Sequence, residues 1–255
     1  MIFDTHCHLD SADFDGDREQ ILNDMETRGF TPCVVVGADM PSSRSSRALA
    51  ASRPWLYWAA GVHPHDADTY CDAFHDELLA MMREKKCVAW GEIGLDYHYD
   101  LSPRETQRVV FARQVDAACE IGKPLILHIR EAHGDATDIL RARRGKLPQG
   151  VVHCYSGSAE QAKIYLDMGF YLGFDGPVTF KKAPRLAEVA QMCPGDRLLV
   201  ETDSPYMSPE PLRGRRNDPR NTEYIARKLA EIRGETFEQI CRTTRENGMR
   251  LFRIE

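Results

Sequence analysis

The sequence predicts an α/β fold of the (β/α)8 TIM-barrel type, and three observations carry that prediction. Short apolar runs alternate with helical stretches from one end to the other. Eight such units fit into 255 residues, the size such a barrel needs. Residues with metal-binding chemistry fall just after several of the runs, where a barrel gathers its loops.

Taken in order, the apolar runs are residues 2–3, 33–36, 56–60, 87–90, 124–127, 150–152, 171–174 and 198–200. Each is short and several are rich in β-branched or aromatic side chains, as parallel strands covered on both faces are. Between them, 104–121, 159–168 and 222–233 have helical spacing. Asp135 and Ser158 read as helix caps, and Gly29 and Gly122 as helix stops. The Pro- and Arg-rich stretch 204–221 follows the last run and should form a long loop at the C-terminal mouth. A doubly wound open sheet fits less well, because no Gly-rich dinucleotide loop follows the first run. One domain, 1–255, is expected.

Composition narrows the function classes. Hydrophobic residues are 42% and charged residues 28% of the chain, as in a globular protein. No apolar run approaches the roughly 20 residues of a membrane helix. The start, MIFDTHCHLD, lacks the basic and apolar regions of a signal peptide, so a cytoplasmic location is expected. The eight cysteines form no CxxC pair and read as reduced, packed thiols. A net charge of −6 does not attract a polyanion, so a nucleic-acid substrate would need local cations to overcome that field. A monomer is the default.

The polar residues at the predicted strand ends carry the chemistry. His6 and His8 follow the first strand, Glu92 the fourth, His128 the fifth, His153 the sixth and Asp203 the eighth. In a barrel all six converge on one mouth. With period-two alternation, His6 and His8 share a face, and Thr5 and Cys7 take the other. Cys7 is therefore read as packed toward the helices. Glu201 and Asp203 repeat the same spacing. Imidazoles and carboxylates suit zinc, manganese, cobalt or iron, with magnesium where carboxylate and water dominate. Six ligands exceed one tetrahedral ion, so two divalent ions are expected, with Glu92 bridging. Two ions about 3.5–4 Å apart can activate water and stabilise both oxygens of a phosphoester displacement. Asp203 suits both ligation and removal of the water's proton. His98 and His133 lack matching partners and read as structural.

These residues in this order resemble the TatD family of metal-dependent deoxyribonucleases, within the amidohydrolase-like barrels. The motifs are FDTHCHLD (3–10), GVHPH (61–65), GEIGLDY (91–97), LHIREA (127–132), VVHCYSGS (151–158) and ETDSPY (201–206), with the basic RGRRNDP (213–219) after them. The resemblance covers essentially the whole chain. It implies a two-metal nuclease acting from the 3′ end of single-stranded DNA, with Mg, Mn, Zn, Co or Ni as candidate ions. Carried across, His6, His8, Glu92 and Asp203 would hold one ion, and Glu92, His128 and His153 the other. His63 and Arg130 would contact the substrate phosphate, and Glu201 would act as a neighbouring acid or proton relay. Two positions depart: Ile129 replaces a small hydroxyl residue, and Asp175 a serine, adding negative charge near a phosphate site.

The mouth loops offer Lys181, Lys182, Arg213, Arg215 and Arg216 for phosphates, and Tyr155 and Tyr206 for stacking on bases. The alternative reading keeps the barrel and changes the bond, to an amide, lactone or ester, including aminoacyl-tRNA deacylation. A non-catalytic module fits less well, because an abandoned site should lose charges that are costly to bury.

Overall fold

The computed structural model describes residues 1–255. Eight parallel strands lie in chain order in one sheet: β1 (Asp4–Cys7), β2 (Cys33–Val36), β3 (Leu56–Ala60), β4 (Cys87–Asp96), β5 (Leu125–Arg130), β6 (Gly150–Val152), β7 (Tyr171–Phe174) and β8 (Leu198–Val200). The helices between them are α1 (Arg18–Arg28), α2 (Met40–Ala50), α3 (Asp72–Met81), α4 (Arg104–Ile121), α5 (His133–Arg141), α6 (Ala159–Asp167) and α7 (Pro184–Met192), and α8 (Thr222–Arg233) and α9 (Phe237–Phe252) follow β8. This is the expected TIM barrel. Its seam closes by backbone bonds beyond the paired strands: Asp203 N–H donates to His6 O (2.9 Å) and His8 N–H to Ser204 O (2.7 Å). Candidate ligands therefore sit on the closure itself.

Local chemistry explains most element ends. Ser158 caps α6 in a reciprocal capping box with Gln161. Gly29 and Gly122 end α1 and α4 with left-handed backbone, which glycine adopts without a Cβ penalty. Asp135 is not a cap: α5 starts two residues earlier, and Asp135 lies in its first turn accepting from the Tyr97 hydroxyl (2.6 Å). The first strand begins later than the apolar run at residues 2–3, since β1 runs through the polar Asp4–Cys7. The fourth strand reaches Asp96, well past residue 90.

Two apolar layers follow from the alternation. Inside the barrel, Phe3, Val34, Val36, Ala59, Val88, Ile126, Val151, Tyr171 and Leu199 cluster with Leu251, Phe252 and Ile254 of the C-terminal segment. The larger outer layer packs the other strand faces, including Cys7, Cys33, Val35 and Trp58, against the helices. Cys7 lies there as expected, fully buried, its Sγ 3.3 Å from Cys33 Sγ. No helix is long and apolar enough to cross a membrane.

Candidate metal centre

Strand β1 sets up the centre with an irregularity. Its pairing with β2 shifts register between Asp4 and Cys7, and such a bulge re-aims side chains. Thr5 consequently does not oppose His6. Its hydroxyl donates to Val200 O (3.1 Å) and lies 3.4 Å from Glu201 Oε2, on the interior side. Simple alternation fails here because the extra residue breaks the two-residue period. Glu201 and Asp203 likewise lie beyond β8, which ends at Val200, and Asp203 takes a positive φ of 55°.

The Glu92 carboxylate lies between two sets of side chains. Its Oε2 faces His6 Nε2 (3.4 Å) and His8 Nε2 (3.8 Å). Asp203 Oδ1 completes this set, 3.7 Å from His6 Nε2 and 3.4 Å from His8 Nε2, and the two Nε2 atoms lie 3.3 Å apart. A tetrahedron of ligands with bonds of about 2.0–2.2 Å has edges of about 3.3–3.6 Å. Five of the six edges are thus near the size a first-row divalent ion requires. The Glu92 Oε1 atom faces His153 Nε2 (3.0 Å), His128 Nδ1 (3.0 Å) and His63 Nε2 (3.5 Å).

The far nitrogens show how each ring is held. His8 Nδ1 lies 2.8 Å from Val36 O, which fixes its proton there and leaves Nε2 free to ligate. His128 Nε2 lies 2.9 Å from Asp96 Oδ2, so Nδ1 is the nitrogen facing the centre. His153 Nδ1 lies 3.3 Å from Glu201 Oε1, but without hydrogen-bond alignment. Glu201 is anchored by Cys154 N–H (2.5 Å), and Gly173 gives it room, since a Cβ there would collide with its carboxylate. His6 Nδ1 is buried without a partner. Imidazoles with one nitrogen aimed inward and the other held by a carbonyl or carboxylate are the pattern of metal-binding histidines.

Electrostatics agree with this arrangement. Burial pushes Glu92 up, but His153, His63 and His6 outweigh it and hold the carboxyl well below its usual range. Asp203 is likewise lowered, its burial overcome by His8. Burial opposes charge on His8, yet Asp203 and Glu92 raise it to about 9. His153 is raised well above its usual value against burial, chiefly by Glu92. His63 moves the other way: burial and His128 push it well down. Its Nδ1 accepts from His65 N–H (3.2 Å). With Nδ1 accepting, His63 presents Nε2 toward Glu92 Oε1 at the edge of the cleft, beside His128.

The surrounding cleft is about 760 Å³ and includes His63, Ile129, Arg130, His153 and Asp203 in its lining. Three expected substrate contacts do not line it. Tyr155 is buried, its hydroxyl donating to Ser158 O (2.6 Å) and its ring beside His133 and Tyr165. Arg213 lies over the Phe180 ring at 4.2 Å, and Arg215 is exposed outside the cleft. Arg216 is paired with Asp17. Asp175 is buried with Oδ2 unpartnered, and burial together with Glu201 and Asp203 pushes its proton affinity well up. It adds less negative charge than its sequence position suggests.

Sequence reading missed two residues of this network, His65 and Asp96. Asp96 Oδ2 lies 2.9 Å from His128 Nε2 and 3.1 Å from His65 Nε2. The signal was present: Asp96 follows Glu92 by four residues on one strand, and His63-x-His65 repeats the spacing of His6-x-His8.

Comparison with known proteins places this geometry. The family model described as TatD related DNase matches residues 3–253. The chain is 41% identical to a metal-dependent hydrolase of Bacillus subtilis, YabD, over the whole of both chains. It is 36% identical to the 3′-5′ ssDNA/RNA exonuclease TatD of Pectobacterium atrosepticum, over 99% of this chain and 100% of that one. Among solved structures, the TatD homologue YjjV of Escherichia coli matches with a TM-score of 0.93 and 31% identity, covering 100% of this chain and 98% of that one.

Proposed function

Because the chain belongs to the TatD family, we propose that it is a metal-dependent nuclease that hydrolyses phosphodiester bonds at the ends of single-stranded DNA. Digestion from the 3′ end is the polarity we assign, after the exonuclease relative. The observation that carries the reading is the division of the Glu92 carboxylate: Oε2 toward His6 and His8, Oε1 toward His128 and His153. That division suits two divalent ions per chain, with His6, His8, Asp203 and Glu92 around one and Glu92, His128 and His153 around the other. The tetrahedral edge lengths and the tethered far nitrogens of His8 and His128 support the fit.

When bound, such ions supply Lewis acidity to the scissile phosphate and lower the pKa of water. The chain's own residues do the rest. Asp203, held low by the imidazoles around it, accepts the proton of the attacking water. Glu201 stands behind His153, 3.3 Å from its Nδ1, as a neighbouring acid. His63 Nε2–H and the Arg130 guanidinium contact the phosphate from the cleft wall.

A second reading, hydrolysis of an uncharged amide or ester, draws on one observation. Asp10, Asp39 and Asp66 line the cleft and Arg130 is its one cationic Lys/Arg side chain, so its own field does not favour a polyanion. One assay separates the two. Metal-loaded protein is incubated with end-labelled single-stranded DNA beside Glu92→Ala and His153→Ala. Cleavage by the wild type alone is the expected result. Equal cleavage by all three defeats the reading, and intact DNA with turnover of an ester panel establishes the second.

A further inference from the structure

Two tyrosines at the mouth remain open to solvent although both line the cleft: Tyr99 is 54% and Tyr206 58% exposed. An aromatic ring gains most when its faces are covered, so rings left open beside a working cleft need an explanation. Each is held firmly at its backbone. Tyr99 follows β4, and its N–H donates to Asp96 Oδ1 (2.8 Å). Tyr206 follows β8, and its N–H donates to Asp203 O (2.9 Å). In a barrel with strands in chain order, β4 and β8 stand opposite each other. The metal centre lies between, and each ring abuts a histidine of the network around it. Tyr206 meets His8 edge-on with centroids 6.1 Å apart, and Tyr99 meets His65 at 5.5 Å. The Arg130 guanidinium lies over the Tyr99 ring at 4.8 Å.

We propose that Tyr99 and Tyr206 are stacking platforms for two unpaired bases, one on each side of the phosphate held at the metal centre. The proposal rests on the nuclease reading. It names what selects a single strand: bases paired and stacked in a duplex cannot spread onto two rings across a cleft. Every base has a π face, so this recognition tolerates any sequence. Arg130, packed on Tyr99, both orients that ring and adds a cationic surface beside it. The acidic lining makes stacking more important, because the cleft has little charge of its own with which to hold the backbone. Affinity should accordingly depend weakly on salt.

The test uses the metal-loaded full chain and single strands carrying an abasic residue at the terminal or the penultimate position. In the wild type, each abasic site raises KM about tenfold, the scale of one lost stacking contact. In Tyr99→Ala and Tyr206→Ala, KM rises similarly on the intact strand, and the penalty for one abasic position, a different one in each variant, disappears. Tyr→Phe at either site restores the wild-type pattern, because the ring and not the hydroxyl is the platform. Strands cleaved with the same abasic penalties in every variant overturn the platforms alone. Failure of the wild type to cleave any single strand overturns the nuclease reading and the platforms with it.

Discussion

At the N-terminal ends of the strands, Phe3 packs 6.1 Å from Phe252, and Leu251 and Ile254 fill the space beside them. At the opposite ends, the same barrel buries His6, His63, Glu92, His153, Asp175, Glu201 and Asp203. Apolar burial at the first end stabilises at about 25 cal/mol per Å². Buried ionisable groups at the second are costly unless paired, and Asp175 Oδ2 and His6 Nδ1 lack partners. One end thus holds the fold together while the other is assembled against its own stability. Such a concentration of poorly satisfied charge makes sense where an ion and a substrate complete the set.

The largest expected effect tests whether the polar end is the working end. Glu92→Gln should lower kcat/KM by at least about a thousandfold, on the scale of losing an essential electrostatic group, with the circular dichroism of the native fold retained. A variant keeping a tenth of the activity would break the contrast. Next, Phe252→Ala at the apolar end should cost about 3–4 kcal/mol in urea unfolding and leave kcat/KM within about twofold of wild type. A parallel fall in rate would mean the ends are not independent.

Asp96→Asn should weaken metal binding about 10–100-fold, as loss of a carboxylate behind a ligating histidine does. Calorimetric titration of one ion class, with the other unchanged, would localise the effect to the His128 side. A smaller change concerns His133, outside both ends, which burial holds down to about 4. Its unfolded value is near 6.5, so the unfolded chain binds the extra proton between those values, and stability falls as pH drops through that window. The loss should be about 3 kcal/mol, and His133→Leu should flatten that slope. An unchanged slope would assign the pH dependence to the mouth instead. Least of all, Arg215→Ala should alter KM on single strands less than about twofold, because an exposed cation outside the cleft is screened.

Reading the strand ends located His6, His8, Glu92, His128, His153 and Asp203, because each follows an apolar run and a barrel can send such positions to only one face. Helix α4 was legible from end to end, its spacing uninterrupted and its stop a glycine. Asp96 was not, because the apolar run stops at residue 90 whereas the strand continues through Gly91 and Gly94 to Asp96. Tyr155 was misread for a different reason. From sequence, a tyrosine two residues after a ligand is equally able to face the cleft or the core. The positive φ of 43° at Cys154, whose N–H donates to Glu201, precedes its turn inward toward His133 and Tyr165.

The sequence by itself determined the architecture and the identity of the polar groups, because alternation, spacing and residue chemistry are local and survive without coordinates. Tertiary structure alone decided how those groups divide around Glu92, which nitrogen of each imidazole faces inward, and which tyrosines reach the mouth. Those choices depend on the register shifts of β1 against β2 and of β4 against β3 and β5, and on the β1–β8 seam, where residues nearly two hundred apart meet by hydrogen bonds of 2.7–2.9 Å. No local pattern records which backbone groups will face each other once the barrel closes.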